Sequence, residues 1–183
     1  MQLKEVIMTA LTYLGDEEIA VDDKIVKHPK LDALVRCANI VIKEIATDYL
    51  PLISYEQVEV KDGKISYDAL AYRAIEVLSV RDADTDIKSV FRHTPSYIQL
   101  VNKDMKRADV KYYYIPKDVG LDDECPLSPQ VSAKTAAMGV CSEFCLIEGL
   151  YEQSIVFADR FKDDLRSAVR RKGEITIKPR RWY

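Results

Sequence analysis

The sequence predicts an α+β fold that is mainly helical. Two N-terminal helices and a C-terminal helical hairpin are expected to form a bundle, which carries a small antiparallel β insertion and an extended C-terminal arm. Two patterns predict this class: apolar residues recur at helical spacing towards both ends of the chain, and they alternate at strand spacing in its middle third. A third observation, a cluster of basic and aromatic residues after the last helical segment, predicts the arm.

Two helices are predicted before any strand. Residues 2–14 place apolar side chains at helical spacing up to Gly15, and residues 31–49 do the same until Pro51 ends the helix. The link between them could be a metal site or a solvated loop. The loop is favoured because nothing in the spacing fixes a coordination geometry. The acidic residues of this link are Asp16, Glu17, Glu18, Asp22 and Asp23.

The β insertion is predicted over residues 53–115. Strands are expected at residues 55–60, 65–67, 75–80, 90–93, 97–101 and 110–115, where β-branched and aromatic residues are frequent. Asp62 and Gly63 form a two-residue turn signal and predict a hairpin between the strands on either side. Residues 116–129, rich in acidic residues and proline, are expected to be a connector without regular structure.

A helical hairpin over residues 130–148 and 150–172 is the expected centre of the fold. Ser128 is the predicted N-cap, and Gly149 is the predicted C-cap between the arms. So short a link makes the arms antiparallel. The apolar stripe of the first arm runs through Phe144 to Ile147, and the stripe of the second runs from Leu150 through Phe161 and Leu165.

Length and composition predict a single domain over residues 1–173, followed by the arm at residues 174–183. The chain has 183 residues, of which 48% are hydrophobic and 31% charged, so it can bury a substantial core. No apolar run approaches the roughly 18 residues of a membrane span, and the amino terminus lacks a secretory pattern. We therefore expect no membrane association, and reduced thiols at Cys37, Cys125, Cys141 and Cys145.

The charge is distributed unevenly. Seven basic residues and one acidic residue lie between Arg166 and Tyr183, which gives this stretch +6 and leaves −9 for residues 1–165. Proteins that bind nucleic acid draw most of their affinity from basic surface, so the acidic body argues against general nucleic-acid binding. The basic stretch could contact an acidic protein or a nucleic acid.

No group of residues predicts catalysis, so we expect no enzyme, no cofactor and no metal. His28 and His93 belong to no nucleophile pattern, and no glycine-rich phosphate loop is present. Cys141 and Cys145 lie one helical turn apart, but zinc would need two further ligands, and core packing is favoured.

Asp82, Asp84 and Asp86 copy the first three ligand positions of a calcium loop. Ile87 stands where that loop requires glycine, and His93 stands where it requires a bidentate glutamate. A charged turn between strands is therefore the favoured interpretation.

Two further clusters have a structural and a functional interpretation. Tyr112, Tyr113 and Tyr114 could stack on nucleic-acid bases, but alternation along a strand puts two rings on one side and one on the other, so strand packing is favoured. The cluster at residues 170–172 fits cations at the carboxyl end of a helix.

The C-terminal arm is the predicted binding segment. Chain ends are usually polar and poorly ordered, whereas this one combines a short alternating run with the side chains most enriched at interface hot spots. We expect the alternating run to add as a strand to a neighbour and the terminal residues to anchor it. The predicted site residues are Ile175, Ile177, Lys178, Arg180, Arg181, Trp182 and Tyr183.

The last third of the chain resembles a known family. The run KYYYIP at 111–116, the acidic connector, CPLS at 125–128 and CLIEG at 145–149 are similar to the head-to-tail connector proteins of tailed bacteriophages, the adaptor or tail-tubular ring proteins beneath the portal. The resemblance implies a helical bundle with a β insertion, no enzymatic activity, and a ring of about twelve copies. It also implies, in some members, a C-terminal arm that reaches a neighbour or the portal.

The expected function is that of a structural virion protein at the phage neck, made in the host cytoplasm. Its ring would join the portal to a downstream tail protein and line the DNA passage. An acidic body would let DNA pass without specific binding, while basic arms would pair with an acidic partner surface. The alternative is a non-enzymatic binding module whose basic aromatic tail contacts nucleic acid.

Overall fold

A computed structural model of the chain describes residues 1–16, 20–21, 24–25, 29–102 and 104–170. The chain divides into two compact units. Among the described residues, unit 1 comprises 1–41, 120–124 and 128–170, and unit 2 comprises 42–119 and 125–127. The prediction of one domain over residues 1–173 stays a prediction. No helix in the described part of the chain has the length and apolarity to cross a bilayer.

Unit 1 is built on helices. Helix α1 spans Leu3–Leu14, α3 spans Ala133–Ile147 and α4 spans Tyr151–Arg170. Helix α2 spans Pro29–Glu44, and its residues up to Val41 belong to unit 1. These helices correspond to the four predicted from apolar spacing.

Between α1 and α2, a short strand β1 (Ala20–Val21) pairs antiparallel with β2 (Lys24–Ile25), where the sequence predicted only a loop. Asp16 of that link forms an ion pair with Lys30 at 3.3 Å, and the other acidic residues of the link lie outside the described residues.

The acidic connector completes the start of α1. The Leu3 amide donates to the Asp123 carbonyl at 3.0 Å, and the Lys4 amide donates to the Leu121 carbonyl at 2.9 Å. The first amides of a helix have no partner within the helix, so these two bonds satisfy groups that would otherwise be left open. The connector therefore holds the amino end of the chain in unit 1.

Helix α3 is the central helix of unit 1 and contacts both α1 and α4. Every residue from Thr135 to Ser142 is buried, so the helix is enclosed on all sides over this stretch. Two small polar side chains link α3 to α4. Ser142 Oγ donates to the Ser154 carbonyl at 3.1 Å, and Ser154 Oγ donates back to the Ser142 carbonyl at 3.0 Å. These reciprocal bonds fix the two antiparallel arms against each other.

The hairpin turn follows the predicted glycine cap, whereas the start of α3 does not follow the prediction. Gly149 has φ 76°, and the Leu150 amide donates to the Cys145 carbonyl at 2.8 Å, as in a Schellman motif. Helix α3 begins at Ala133, three residues later than predicted, and is capped by Ser132, whose Oγ accepts from the Thr135 amide at 3.1 Å. The proposed cap, Ser128, instead belongs to a turn closed by the Val131 amide.

Unit 2 is built on two antiparallel sheets. After a π-helical turn at Ile45–Tyr49, its strands are β3 (Leu52–Glu59), β4 (Lys64–Ser66), β5 (Arg73–Asp82), β6 (Lys88–Ser89), β7 (Phe91–His93), β8 (Tyr97–Leu100) and β9 (Arg107–Ile115). The four-stranded sheet has the order β3-β9-β5-β6, and the three-stranded sheet has the order β4-β8-β7. Both sheets contribute to one core, which includes Val58, Ile65, Val80, Ile98, Val110 and Tyr112.

The prediction of a mainly helical bundle with a small β insertion is wrong. Seven strands in two sheets form a compact unit with its own core, so the fold is α+β with a substantial β part. The sheet is held by pairs that are distant in sequence, above all β3 with β9, which pair Leu52 with Tyr114 and Glu59 with Arg107. A local alternation pattern identifies strands but does not show how many of them join one sheet, so the sequence alone underestimates the β part.

The hairpin predicted at Asp62 and Gly63 forms only as a turn. Both residues have positive φ, 53° and 69°, as a two-residue type I′ turn requires, and Lys61 and Lys64 exchange backbone hydrogen bonds of 3.0 and 2.9 Å. The flanking strands then separate, because β3 pairs with β9 and β4 pairs with β8 in the other sheet. Eight residue pairs with β9 outweigh the few that a local hairpin would offer.

Candidate assembly surfaces

The predicted binding arm lies beyond the last described residue, Arg170. The structure therefore places none of its seven predicted site residues: Ile175, Ile177, Lys178, Arg180, Arg181, Trp182 and Tyr183. The basic residues Arg171 and Lys172 also lie outside the described residues. The candidate surfaces below come from the described part of each unit.

The turn between α3 and α4 carries an exposed apolar surface, which we call the hairpin tip. Its six members lie within eleven residues of sequence and are between 46% and 65% exposed. A cluster of large apolar side chains of this kind on a folded unit marks an interaction site more often than a random surface does. The residues of the hairpin tip are Leu146, Ile147, Leu150, Tyr151, Ile155 and Val156.

The hairpin tip exists because the core-facing stripe of α4 is narrow. In this helix only Ser154, Phe161 and Leu165 are buried among the residues whose side chains are described. Ile155 and Val156 follow Ser154 directly, so the helical rotation carries them off the buried stripe. Helical spacing predicts that Ile147 and Leu150 face the core, and this prediction is wrong because both side chains are exposed. Apolar residues in excess of one stripe were the signal that could have revealed the tip.

Charges differ between the two ends of α4. Near the tip, Glu148 and Glu152 are exposed acidic residues. Near the carboxyl end, Arg166 is exposed and bonds Asp163 at 3.2 Å, and Val169 is 37% exposed. Twenty helical residues separate these ends by about 30 Å. The hairpin thus presents an acidic apolar end and an end that leads into the basic stretch of the sequence.

Unit 2 contains a partly buried polar cluster around Glu56. The Tyr112 hydroxyl donates to Glu56 Oε1 at 2.5 Å, Ser54 Oγ donates to the same oxygen at 3.0 Å, and the Ala71 amide donates to Oε2 at 2.9 Å. Burial and the neighbouring carboxylate raise the pKa of Tyr112 to about 12. Burial alone would raise the pKa of Glu56, but the hydrogen bonds outweigh it and lower that pKa below its usual value. The cluster joins β3 to β9 and to the segment before β5.

Replacing Glu56 tests this cluster. Because the pKa of Glu56 is lower in the folded than in the unfolded chain, its carboxylate stabilises the fold at pH values above the ordinary pKa of about 4.5. This stabilisation is lost as the pH falls through the pKa that Glu56 has in the folded chain. Glu56→Gln should therefore lower the free energy of unfolding at pH 7 by about 1 to 3 kcal/mol. The loss should shrink on acidification. Urea titrations from pH 7 to pH 3 measure this.

Tyr112→Phe is the matched control for that experiment, because it removes one donor and leaves the carboxylate in place. We expect a smaller loss at pH 7 than for Glu56→Gln and a pH dependence that persists in weakened form. Equal losses for Glu56→Gln at pH 7 and pH 3 would contradict the assigned role of the carboxylate.

The residues considered as possible metal or redox sites form ion pairs and hydrogen bonds or are buried in the core. Asp84 bonds Arg107 at 2.5 Å, Asp86 bonds Arg81 at 3.0 Å, and Asp82 Oδ1 accepts from the Asp84 amide at 2.9 Å, so the charged turn between β5 and β6 is confirmed. Cys141 and Cys145 are buried, as core packing predicted. Burial raises the pKa of Cys141 to about 12, which keeps its thiol protonated at neutral pH.

The tyrosine run packs as a strand. Tyr112 is fully buried, and its ring meets that of Tyr114 at 6.4 Å on the same side of β9. Tyr114 also packs against Tyr72 at 4.3 Å. Tyr113 falls between them and faces the other side, as the alternation predicted. His93 takes part in a hydrogen bond with the Tyr67 hydroxyl at 3.0 Å, and His28 lies outside the described residues.

In comparisons with known proteins, no family model and no curated protein match this chain. The resemblance to phage head-to-tail connectors therefore stays a prediction.

Proposed function

We propose that this protein is a non-enzymatic structural subunit that assembles with copies of itself into a ring. In the full form of the proposal, the ring is a head-to-tail connector in the virion of a tailed bacteriophage. It joins the portal to a downstream tail protein and encloses the passage of DNA. The observation that carries the self-assembly proposal is the hairpin tip, and the connector identity is supported by the sequence motifs at 111–116, 125–128 and 145–149.

The hairpin tip offers enough apolar surface to drive association. Completely burying one exposed leucine or isoleucine side chain is worth about 1.5 to 3 kcal/mol, and the tip presents six large apolar side chains that are about half exposed. Their combined burial can offset the several kcal/mol that association costs in lost freedom.

The occupant we assign to the tip is the carboxyl end of α4 in a second copy. The acidic residues beside the tip, Glu148 and Glu152, complement residues 166–173, which contain four basic residues and no acidic one. Exposed Val169 supplies an apolar contact at that end. Such a contact joins two different surfaces of the same chain, so it repeats head to tail and closes into a ring when the rotation permits.

The negative charge of residues 1–165 is consistent with a channel that does not bind DNA. Residues 1–165 carry −9, which repels the phosphate backbone at close range. In this proposal DNA passes without specific binding, and the basic arm at residues 174–183 binds a neighbouring copy or the portal. The nucleic-acid alternative instead predicts DNA binding that weakens steeply with salt and depends on the same basic residues.

Ile155→Asp tests the tip. Ile155 is 61% exposed, so the variant should fold with nearly unchanged stability, whereas a carboxylate in a closed apolar contact should abolish assembly. Sedimentation of the full chain across a concentration series should show a large oligomer for the unaltered protein and monomers for Ile155→Asp.

The matched control is Ile40→Asp, which places the same charge on α2 at an isoleucine that is 49% exposed. This variant should assemble like the unaltered protein. Assembly that survives Ile155→Asp, or that is lost equally in both variants, would contradict the assignment of the tip. Salt-sensitive DNA binding without self-association would favour the alternative function.

A further inference from the structure

Strand β3 forms an open edge of the four-stranded sheet. It pairs with β9 through eight consecutive residue pairs, from Leu52 with Tyr114 to Glu59 with Arg107, without a register shift. No second strand among the described residues pairs with β3. In an antiparallel ladder, alternate residues direct their backbone amide and carbonyl groups away from the partner strand. The outer side of β3 therefore presents a regular row of donors and acceptors.

The opposite edge of the same sheet is protected, and β3 is not. There, β6 contains only two residues, and β5 has register shifts between Ala74 and Glu76 and between Val77 and Ser79. Short strands and irregularities of this kind prevent edge-to-edge pairing, as do lysine and proline on an edge. The sequence of β3, LISYEQVE, contains neither lysine nor proline. The outer strands of the three-stranded sheet, β4 and β7, have three residues each.

The side chains of β3 indicate what kind of strand would fit. Ile53 and Tyr55 are 44% and 69% exposed on one face, so an added strand with apolar residues at alternate positions would extend an apolar strip. Glu59 is the exposed charged residue of β3, whereas the Glu56 carboxylate is already bonded to the buried Tyr112. A strand followed by basic residues would therefore complement this edge.

We propose that residues 174–178 of a second copy add to β3 as a further strand of the four-stranded sheet. Ile175 and Ile177 alternate with polar residues, and Lys178, Arg180 and Arg181 supply basic charge that complements Glu59. Backbone hydrogen bonds provide the affinity, and the alternating side chains and charges provide the selectivity. This assignment rests on the proposed self-assembly and names the surface that receives the arm.

Hydrogen exchange in the full chain tests the assignment. Thr176→Pro removes a backbone donor from the middle of the arm, whereas the matched variant Thr176→Ser keeps it. At assembling concentration, outer-edge amides of β3 in the unaltered protein and in Thr176→Ser should exchange at least about tenfold more slowly than in Thr176→Pro. Amides of β9, which are bonded within the unit, should exchange alike in all three. Sedimentation of the same samples reports assembly separately.

The possible exchange and sedimentation results distinguish the strand assignment from the proposed self-assembly. Protection of β3 that disappears both in Thr176→Pro and on dilution supports the proposal. Equal exchange of β3 in all three proteins while oligomers form overturns the strand assignment and leaves the proposed function intact. Protection that persists in diluted monomers assigns the strand to the same copy and overturns the second-copy proposal. Absence of oligomers at every concentration overturns the proposed function as well.

Discussion

Phe144→Asp should unfold unit 1 at room temperature. Phe144 is only 3% exposed and lies on the central helix α3. An aspartate there would either bury an unpaired charge or force the helix out of its packing, at a cost of several kcal/mol. Domains of ordinary stability have about 5 to 15 kcal/mol in total, so this single change removes a large part of it. Circular dichroism during thermal and urea unfolding measures the loss.

Leu146→Asp is the control, because it introduces the same side chain two residues later on the same helix. Leu146 is 50% exposed and belongs to the hairpin tip. At a concentration where the protein is monomeric, this variant should change the free energy of unfolding by less than about 1 kcal/mol. An unchanged melting curve for Phe144→Asp would contradict the packing of α3.

Gly139→Val should destabilise unit 1 by about 3 kcal/mol, because α3 has no room for a side chain at this position. A Cβ placed on Gly139 would lie 2.8 Å from Val41 Cγ1 and 3.0 Å from Phe161 Cε2. At an exposed helix position, replacing glycine would increase stability. A loss of stability in Gly139→Val therefore indicates that this position is tightly packed. Urea unfolding of the purified variant gives the magnitude.

A second substitution checks the cause. Val41→Ala removes the nearer of the two contacts, so the double variant Gly139→Val with Val41→Ala should lose less stability than the sum of the single variants. Additive losses would show that Val41 does not confine Gly139. Either single variant that proves more stable than the original chain would contradict the close approach of the helices.

Local physical signals were sufficient to predict the helices. The apolar spacing of α1 and the left-handed cap at Gly149 involve residues that are close in sequence, and the structure has both where the sequence placed them. The Asp62 and Gly63 turn was predictable for the same reason, since its conformation depends on those two residues. The charged turn at Asp82, Asp84 and Asp86 was also predicted, because the spacing failed the requirements of a calcium loop, but the ion pairs with Arg81 and Arg107 were not.

Features that depend on distant residues were not predictable in this way. The pairing of β3 with β9 joins residues that are 48 to 62 positions apart, and it gives a unit with two sheets where a small insertion was expected. The hairpin tip was not predicted, because apolar spacing shows which residues could face a core. It does not show how many of them the neighbouring helices cover. Ile147 and Leu150 fit their stripes by position, yet no helix in the described part of unit 1 covers them. The Glu56 and Tyr112 bond spans the same two strands and had no local signature.

In the proposed function, the hairpin tip joins copies of this chain head to tail into a closed ring. Native mass measurement of the full chain at rising concentration observes such a ring. A closed ring should appear as one dominant oligomer of many copies, with few open intermediates, and should be lost in Ile155→Asp. A dimer that neither grows nor closes, or a monomer at the highest concentration the protein tolerates, would contradict it.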